Sequence, residues 1–299
     1  MLDVSLRRLW VFKTVVEESG FNRAARRLGI SEPSVSEHVR ALEEQVGPLF
    51  VRRPGRRIEL TRAGEHIYHF CTEVFARAAA LQRELDGIRG ALSPVTVVAQ
   101  RTIASHLLTP RIARYLRQHP EGTLAVHSET QEGVFQHLRQ GAADLGIAWS
   151  LDGDAPFPST LLGWQEMAFV CAVQHPLAKD ESLSPKALAD APFIGPLWES
   201  EYARLIFIST RAIGIPRLRY VLQLEDSDSL LTAVREGIGY GLMPAFAVEG
   251  LVAEGRLWRM AVKAPPIRWQ IRLFVTTHHA LSPAAERVRR YLLRGGAWS

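Results

Sequence analysis

The residues best placed for chemistry lie between Ser31 and Arg40. Val35, Val39, Leu42 and Val46 recur at i, i+4, i+7 and i+11, which is the apolar side of one helix. The opposite side then carries Pro33, Glu37 and Arg40, with Ser34 and Ser36 beside it. Arginine and serine on such a face can donate to phosphates and base edges. A carboxylate such as Glu32 or Glu37 can accept from cytosine N4. A second group, Arg52, Arg53, Arg56 and Arg57, brackets Pro54-Gly55, a turn signal between strand-like Leu49–Val51 and Ile58–Leu60. Four arginines on a hairpin tip could straddle a phosphate backbone. The chemistry of both groups is recognition of a polyanion. Two plainer readings stay open: a three-helix corner with no ligand, and a solvated basic loop.

Three elements must position these groups. Ala24, Ala25 and Leu28 form the apolar side of a short helix, and Gly29 suits a left-handed turn. Ser31 can cap the next helix, and Pro33 is tolerated in its first turn. The pattern fits a helix-turn-helix. Leu6, Leu9, Trp10, Phe12, Val15 and Val16 give a covering helix, and Phe21 closes the small core. After the hairpin, Thr61 can cap a helix of about 27 residues, roughly 40 Å long. Its residues Ile67, Cys71, Val74, Ala78, Leu81, Leu85 and Ile88 alternate steps of four and three, a heptad seam. A second copy of the chain is the expected partner for that seam. Packing on its own domain is the alternative.

Residues 1–62 hold twelve bases against eight acids, so most of the chain's net charge of +5 sits there. That excess again suggests a polyanionic partner. At 299 residues the chain should form two or three domains. Cys71 and Cys171 are far apart and give neither a disulfide framework nor metal spacing. The N-terminal MLDVSLRRLW lacks the apolar core of a signal peptide, and no long apolar run exists. A cytoplasmic location and no membrane association are expected.

From Ser93-Pro94 the pattern changes. Strand-like Val95–Ala99, Thr123–Ser128 and Asp144–Trp149 alternate with helical segments, which predicts a parallel sheet. A second series runs from Met167–Val173 through Phe193–Ile194, Tyr220–Leu224, a helix over Ser229–Glu236, and Tyr240–Met243. Gln270–Thr276 and a final helix over Pro283–Leu293 return the chain. Two α/β lobes joined by two crossings would explain this order.

The whole chain resembles a LysR-type transcriptional regulator. The resemblance rests on Phe12, Phe21, Ala24-Ala25, Leu28, Ser31, Pro33, Ser36, Leu42-Glu43, Leu49-Phe50, Arg52-Arg53 and Leu60-Thr61-Arg62-Ala63-Gly64. His119-Pro120, Gly141 with Asp144-Leu145-Gly146-Ile147, His175-Pro176-Leu177, and Gly237-Ile238-Gly239 with Pro244 extend it. It implies an α/β chain with an N-terminal winged helix-turn-helix (1–62), a linker and dimerisation helix (63–92), and a two-lobed, periplasmic-binding-protein-like effector domain (93–299). Lobe I is expected over about 93–163 and 264–299, and lobe II over about 164–263. The implied partners are double-stranded DNA, a small-molecule effector and further copies of the chain, from homodimer to homotetramer; RNA polymerase is a further candidate. The DNA-binding residues would be Ser31, Glu32, Pro33, Ser34, Ser36, Glu37, Arg40 and the four wing arginines. Glu32 and Glu37 differ from the family's usual residues there.

In parallel α/β folds, ligands bind at the carboxyl ends of strands. Those ends are Gln100-Arg101-Thr102-Ile103, Ser128-Glu129-Thr130, Trp149, Pro196-Leu197-Trp198-Glu199 and Asp226-Ser227. Free N–H groups at helix starts favour an anion. The expectation is a small carboxylate or other anion held by Thr102 and Arg101. Gln100, Ile103, Thr130 and Ser227 would lie nearby, with Trp149 and Trp198 as walls. Arg101 paired with Glu129, and tryptophans in the core, are the alternatives.

An enzyme with an appended DNA module, and a sequence-independent architectural protein, are the competing classes. No Walker loop, H-E-x-x-H or G-x-S-x-G motif is present. The close histidine pairs His66/His69 and His278-His279 have no obvious third ligand. Gly237-Ile238-Gly239-Tyr240-Gly241 lies between a helix and a strand, the wrong order for a dinucleotide loop. No catalytic residue, cofactor or metal is expected.

Overall fold

The computed structural model describes residues 5–51, 59–88, 94–151, 157–277, 280–294 and 298, leaving aside the side chains of 79, 80, 82–84 and 86–88. The chain divides into two compact units, Met1–Leu85 with Arg139–Gly141, and Asp86–Leu138 with Ala142–Ser299.

The first unit begins with helices α1 (Leu6–Glu17), α2 (Phe21–Leu28) and α3 (Glu32–Val46). Local chemistry sets the corner between α2 and α3. Gly29 takes the left-handed conformation with φ 65°. The hydroxyl of Ser31 accepts from the Ser34 amide at 3.3 Å, which caps α3 as expected. Val11, Val15, Ala24, Ala25, Val35 and Val39 close one small core. Leu9, Phe12, Leu42, Leu49 and Cys71 close another. Strands β1 (Phe50–Val51) and β2 (Glu59–Leu60) then pair antiparallel, which forms the base of the expected hairpin. Thr61 ties this hairpin to helix α4 (Arg62–Ile88). Its hydroxyl donates to the Pro48 carbonyl and accepts from the Gly64 amide at 3.0 Å. Gly64 is needed there, because a Cβ would lie 2.2 Å from the Leu49 carbonyl oxygen.

The second unit runs β3 (Val95–Gln100), α5 (Arg101–Ile103), α6 (Thr109–Gln118), β4 (Leu124–Glu129), α7 (Gln131–Arg139) and β5 (Leu145–Ser150). A π-helical turn, Ala104–Leu108, joins α5 to α6. Next come β6 (Ser159–Cys171), α8 (Pro185–Asp190), β7 (Pro192–Pro196), α9 (Glu201–Ala212), β8 (Arg219–Leu224) and α10 (Ser227–Arg235). The chain ends with β9 (Tyr240–Pro244), α11 (Ala245–Ala253), β10 (Trp258–Arg259), β11 (Ile267–Val275) and α12 (Pro283–Arg294).

The sheet order is β4-β3-β5-β11-β6-β9-β7-β8, with β10 paired to β6. The expected parallel sheet is parallel only in its outer triplets, β4-β3-β5 and β9-β7-β8. The two middle strands run against their neighbours. The reason is connectivity: β6 leaves the first lobe and β11 returns to it, so they must be antiparallel. Strand β6 pairs with β11 over Ser159–Met167 and with β9 over Met167–Cys171, so Met167 marks the hand-over between lobes. Strand β6 starts eight residues before the expected Met167. Its first half mixes Thr160, Gly163, Gln165 and Glu166 with apolar residues, so no apolar run announces it.

Candidate functional site

The polar face of α3 projects as the periodicity requires. Val35, Val39 and Leu42 are buried, while Glu32, Pro33, Ser36, Glu37 and Arg40 are exposed. An open groove along that face is lined by Phe21, Pro33, Ser36, Glu37, Arg40 and Glu43. The face divides into two groups. Ser31 and Ser34 bond to each other at 2.9 Å and serve the cap. Glu32 accepts from Asn22 Nδ2 at 3.1 Å, which holds α3 to α2. Ser36, Glu37 and Arg40 make no side-chain bond among the described residues, so they are available to a ligand. Two of the three bases of α2 have other work. Arg23 donates to the Glu18 and Ser19 carbonyls at the end of α1, and Arg27 pairs with Glu18 at 2.6 Å. The wing residues Arg52, Arg53, Arg56 and Arg57 lie outside the described residues.

Helix α4 has the expected length, but its seam is not all available to a partner. Cys71 is fully buried in the chain's own core and its thiol donates to the Leu9 carbonyl at 3.6 Å. Ile67 packs on the same core. The heptad pattern cannot distinguish a partner helix from α1, and here α1 covers the first turns. Val74 is half-buried and Ala78 exposed. Leu81 is 55% exposed and Leu85 39%, so the apolar surface left open lies further along the helix. The side chain of Ile88 lies outside those described.

In the second unit, the strand ends meet in a cleft between the lobes. Gln100, Arg101, Thr130 and Ser227 line it, as expected. Thr102 is buried behind them, and its hydroxyl bonds to Ser227 Oγ across the lobes at 3.0 Å. Three expected residues are elsewhere. Ile103 is fully buried in the core. Trp149 is also core, edge-on to Trp269 at 5.8 Å. Trp198 is 56% exposed and packs on Tyr220 at 4.2 Å, not in the cleft. Arg101 and Glu129 form no ion pair. The cleft also holds residues that the topology did not single out: Gln131, Glu132, Tyr202 and Glu225. A strand-end rule names positions, and these lie a residue or more into the following loops and helices.

The helix starts around the cleft are already capped. Gln100 Oε1 accepts from the Thr102 and Ile103 amides at 3.1 and 3.4 Å. Thr130 caps α7 at Gly133, and Ser200 caps α9 at Ala203. Glu132 reaches across to the Glu201 amide at 2.6 Å. Asp226 caps α10 at Ser229, and that hydrogen bonding holds its carboxyl below the usual range. The amides that residue spacing offered to an anion are therefore occupied by the chain itself. An adjoining cavity shares Gln131 and is lined by Trp149.

Both cysteine thiols are buried, which pushes Cys71 up to about 12 and Cys171 up to about 11. Among the described residues no group of metal-ligating side chains occurs, and no helix is long and apolar enough to cross a membrane. Gly237 takes φ 79° in the turn after α10, the ordinary helix-end role.

The fold and these faces define a helix-turn-helix protein with a two-lobed ligand-binding unit. Residues 6–65 match the bacterial regulatory helix-turn-helix protein model of the lysR family, and residues 89–297 match the LysR substrate binding domain. The chain belongs to the LysR family and is a transcriptional regulator. It is 25% identical over 298 residues to the RuBisCO operon transcriptional regulator of Allochromatium vinosum, covering 99% of this chain and 98% of that one. Its fold matches full-length CbnR complexed with its target DNA, with a TM-score of 0.63 at 18% identity, over 98% of this chain and 100% of that one. The second unit also matches the effector binding domain of QuiR in complex with shikimate, with a TM-score of 0.61 at 21% identity, over 68% of this chain and 97% of that one.

Proposed function

We propose that this regulator reads double-stranded DNA with the outer face of α3 and is gated by a small molecule held between its two lobes. Residues 1–62 form the DNA-binding domain, 63–92 the linker, and 93–299 the effector domain. Ser36, Glu37 and Arg40, with Pro33 at the helix start, face base edges or nearby backbone. Ser31, Glu32 and Ser34 set the pitch of α3 rather than reading bases. Arg52, Arg53, Arg56 and Arg57 hold phosphates. The observation that carries this reading is the division of α3 into a buried Val35-Val39-Leu42 side and an exposed side with unpaired polar groups.

The exposed Leu81 and Leu85 support pairing of α4 with a second copy, and two such dimers would give a tetramer. Two recognition helices in a dimer meet half-sites about 34 Å apart or a multiple of this. RNA polymerase and a cytoplasmic location fit a regulator of this kind. The Thr102–Ser227 bond between the lobes supports gating, because a ligand that prefers one lobe angle shifts the population of that angle. The test is genome-wide binding of the purified protein to fragmented DNA from its own source at about 150 mM salt. Discrete peaks with a dyad support specific reading by α3. Diffuse binding lost with modest salt refutes it and favours counterion-driven attraction.

A further inference from the structure

The cleft between the lobes is rich in acceptors and poor in donors. Glu129, Glu132, Glu225 and Asp226 line it against one cation, Arg101, whose field falls on Asp226. Glu132 and Asp226 are committed to helix amides. The Glu129 and Glu225 carboxylates make no hydrogen bond or ion pair among the described residues. The backbone donors best placed for an anion are taken: the amides of Thr102, Ile103, Gly133, Glu201, Ala203 and Ser229 all serve internal caps, which leaves the Arg101 guanidinium and the Tyr202 hydroxyl against four carboxylates. The hydroxyls of Thr102 and Ser227 are bonded to each other.

Gln131 gives an independent observation. The residue is only 6% exposed and lies in the wall shared by this cleft and the adjoining cavity. Nε2 donates to the Trp149 carbonyl at 3.0 Å, which fixes the amide orientation, since a carbonyl can only accept. Oε1 is then left buried with no partner. A buried acceptor without a donor is rare and calls for one. The unpartnered indole N–H of Trp149, a donor, belongs to the adjoining cavity and not to this one.

Given the interlobe cleft as the effector site, we infer that the effector is a small cation, an amine or guanidine, whose N–H groups meet Gln131 Oε1 and the Glu129 and Glu225 carboxylates. Such a ligand answers these three acceptors, and its charge balances the excess of carboxylates.

The test is calorimetric titration of the full-length chain with two matched panels. One holds putrescine, agmatine, lysine and arginine. The other holds amine-free counterparts: succinate, glutarate, adipate and shikimate. The expected result is binding by a member of the first panel, weakened about tenfold by Glu129→Gln and again by Glu225→Gln. Both variants keep the side-chain shape, and circular dichroism confirms their fold. Gln131→Leu should also weaken binding. Binding by no amine overturns the inference, as does an amine indifferent to all three variants. A Ser227→Phe variant, which fills the cleft, separates the two levels. A dicarboxylate that binds, and is lost in Ser227→Phe, overturns the amine chemistry and leaves the cleft as the effector site. An amine whose binding survives Ser227→Phe overturns the cleft itself.

Discussion

Removing the hydroxyl of Thr102 should loosen the two lobes by a definable amount. Thr102 sits at the start of α5 and Ser227 at the start of α10, with their oxygens 3.0 Å apart. Thr102→Val keeps the shape and removes the bond. Ser227 lines the open cleft, so its hydroxyl can turn to water. Thr102 is buried and does not line the cleft, so Ser227→Ala strands its hydroxyl. Thr102→Val should therefore cost about 1 kcal/mol, the net worth of one hydrogen bond, and Ser227→Ala about 1–3 kcal/mol. The double variant should cost less than the sum of the two, because both remove one shared interaction. The assay is urea unfolding followed by tryptophan fluorescence. Of the seven tryptophans, all but Trp10 lie in the second unit, so the signal reports on it. Where the effector binds the closed lobes, its affinity should also fall by up to about fivefold. Strictly additive costs, with a coupling below about 0.3 kcal/mol, would falsify the interlobe bond as a hinge restraint.

Other expectations are simpler. Gly64→Ala puts a Cβ 2.2 Å from the Leu49 carbonyl oxygen, so the hairpin must shift away from α4. A loss of about 1–3 kcal/mol is expected, read from thermal unfolding of the first unit; an unchanged melting temperature would show that this joint yields easily. His175 is buried and its Nδ1 accepts from the Leu177 amide at 3.2 Å, so it is held neutral and its pKa lies below the ordinary value. The unfolded chain takes up a proton as pH falls through about 6.5, the native chain does so only lower, and stability is lost on acidification. His175→Asn keeps an acceptor without titrating, so its melting temperature should change less with pH, and an identical pH profile would discount His175. Replacing Arg56 and Arg57 by alanine should flatten the plot of log affinity against log salt by about 0.9 for each phosphate no longer neutralised. An unchanged slope would remove the wing from the phosphate-binding surface.

The elements of the first unit were legible because their signals are local. A left-handed glycine, a serine cap and a repeating valine stripe each act within one or two turns, and Gly29, Ser31 and Val35-Val39-Leu42 all do in the structure what their types suggest. The seam of α4 was only half legible. A heptad pattern records that a face is apolar, not what covers it, and Leu9 with its neighbours on α1 covers Cys71. In the second unit the alternation of strands and helices was visible, but direction was not. Whether β6 and β11 run with or against their neighbours depends on long-range connectivity, which no window of sequence carries. Helices α9 and α11 went unassigned for different reasons. The first mixes Arg204, Ser209 and Thr210 into an apolar run, and the second is apolar nearly all round and shows little periodicity.

The cleft shows a deeper ambiguity. An oxygen near a helix start can cap that helix or leave its amides for a ligand, and both roles draw on the same residue types. Gln100, Thr130, Ser200 and Asp226 could each have gone either way on sequence alone. In the structure all four turn inward to the amides. Each cap removes a donor from the cleft, and the Asp226 cap adds a negative charge beside it. A site that topology marks for an anion thus becomes, through its own capping, a site with open acceptors. The sign of its preference lies in where those four side chains point, one hydrogen bond beyond what residue spacing can reveal.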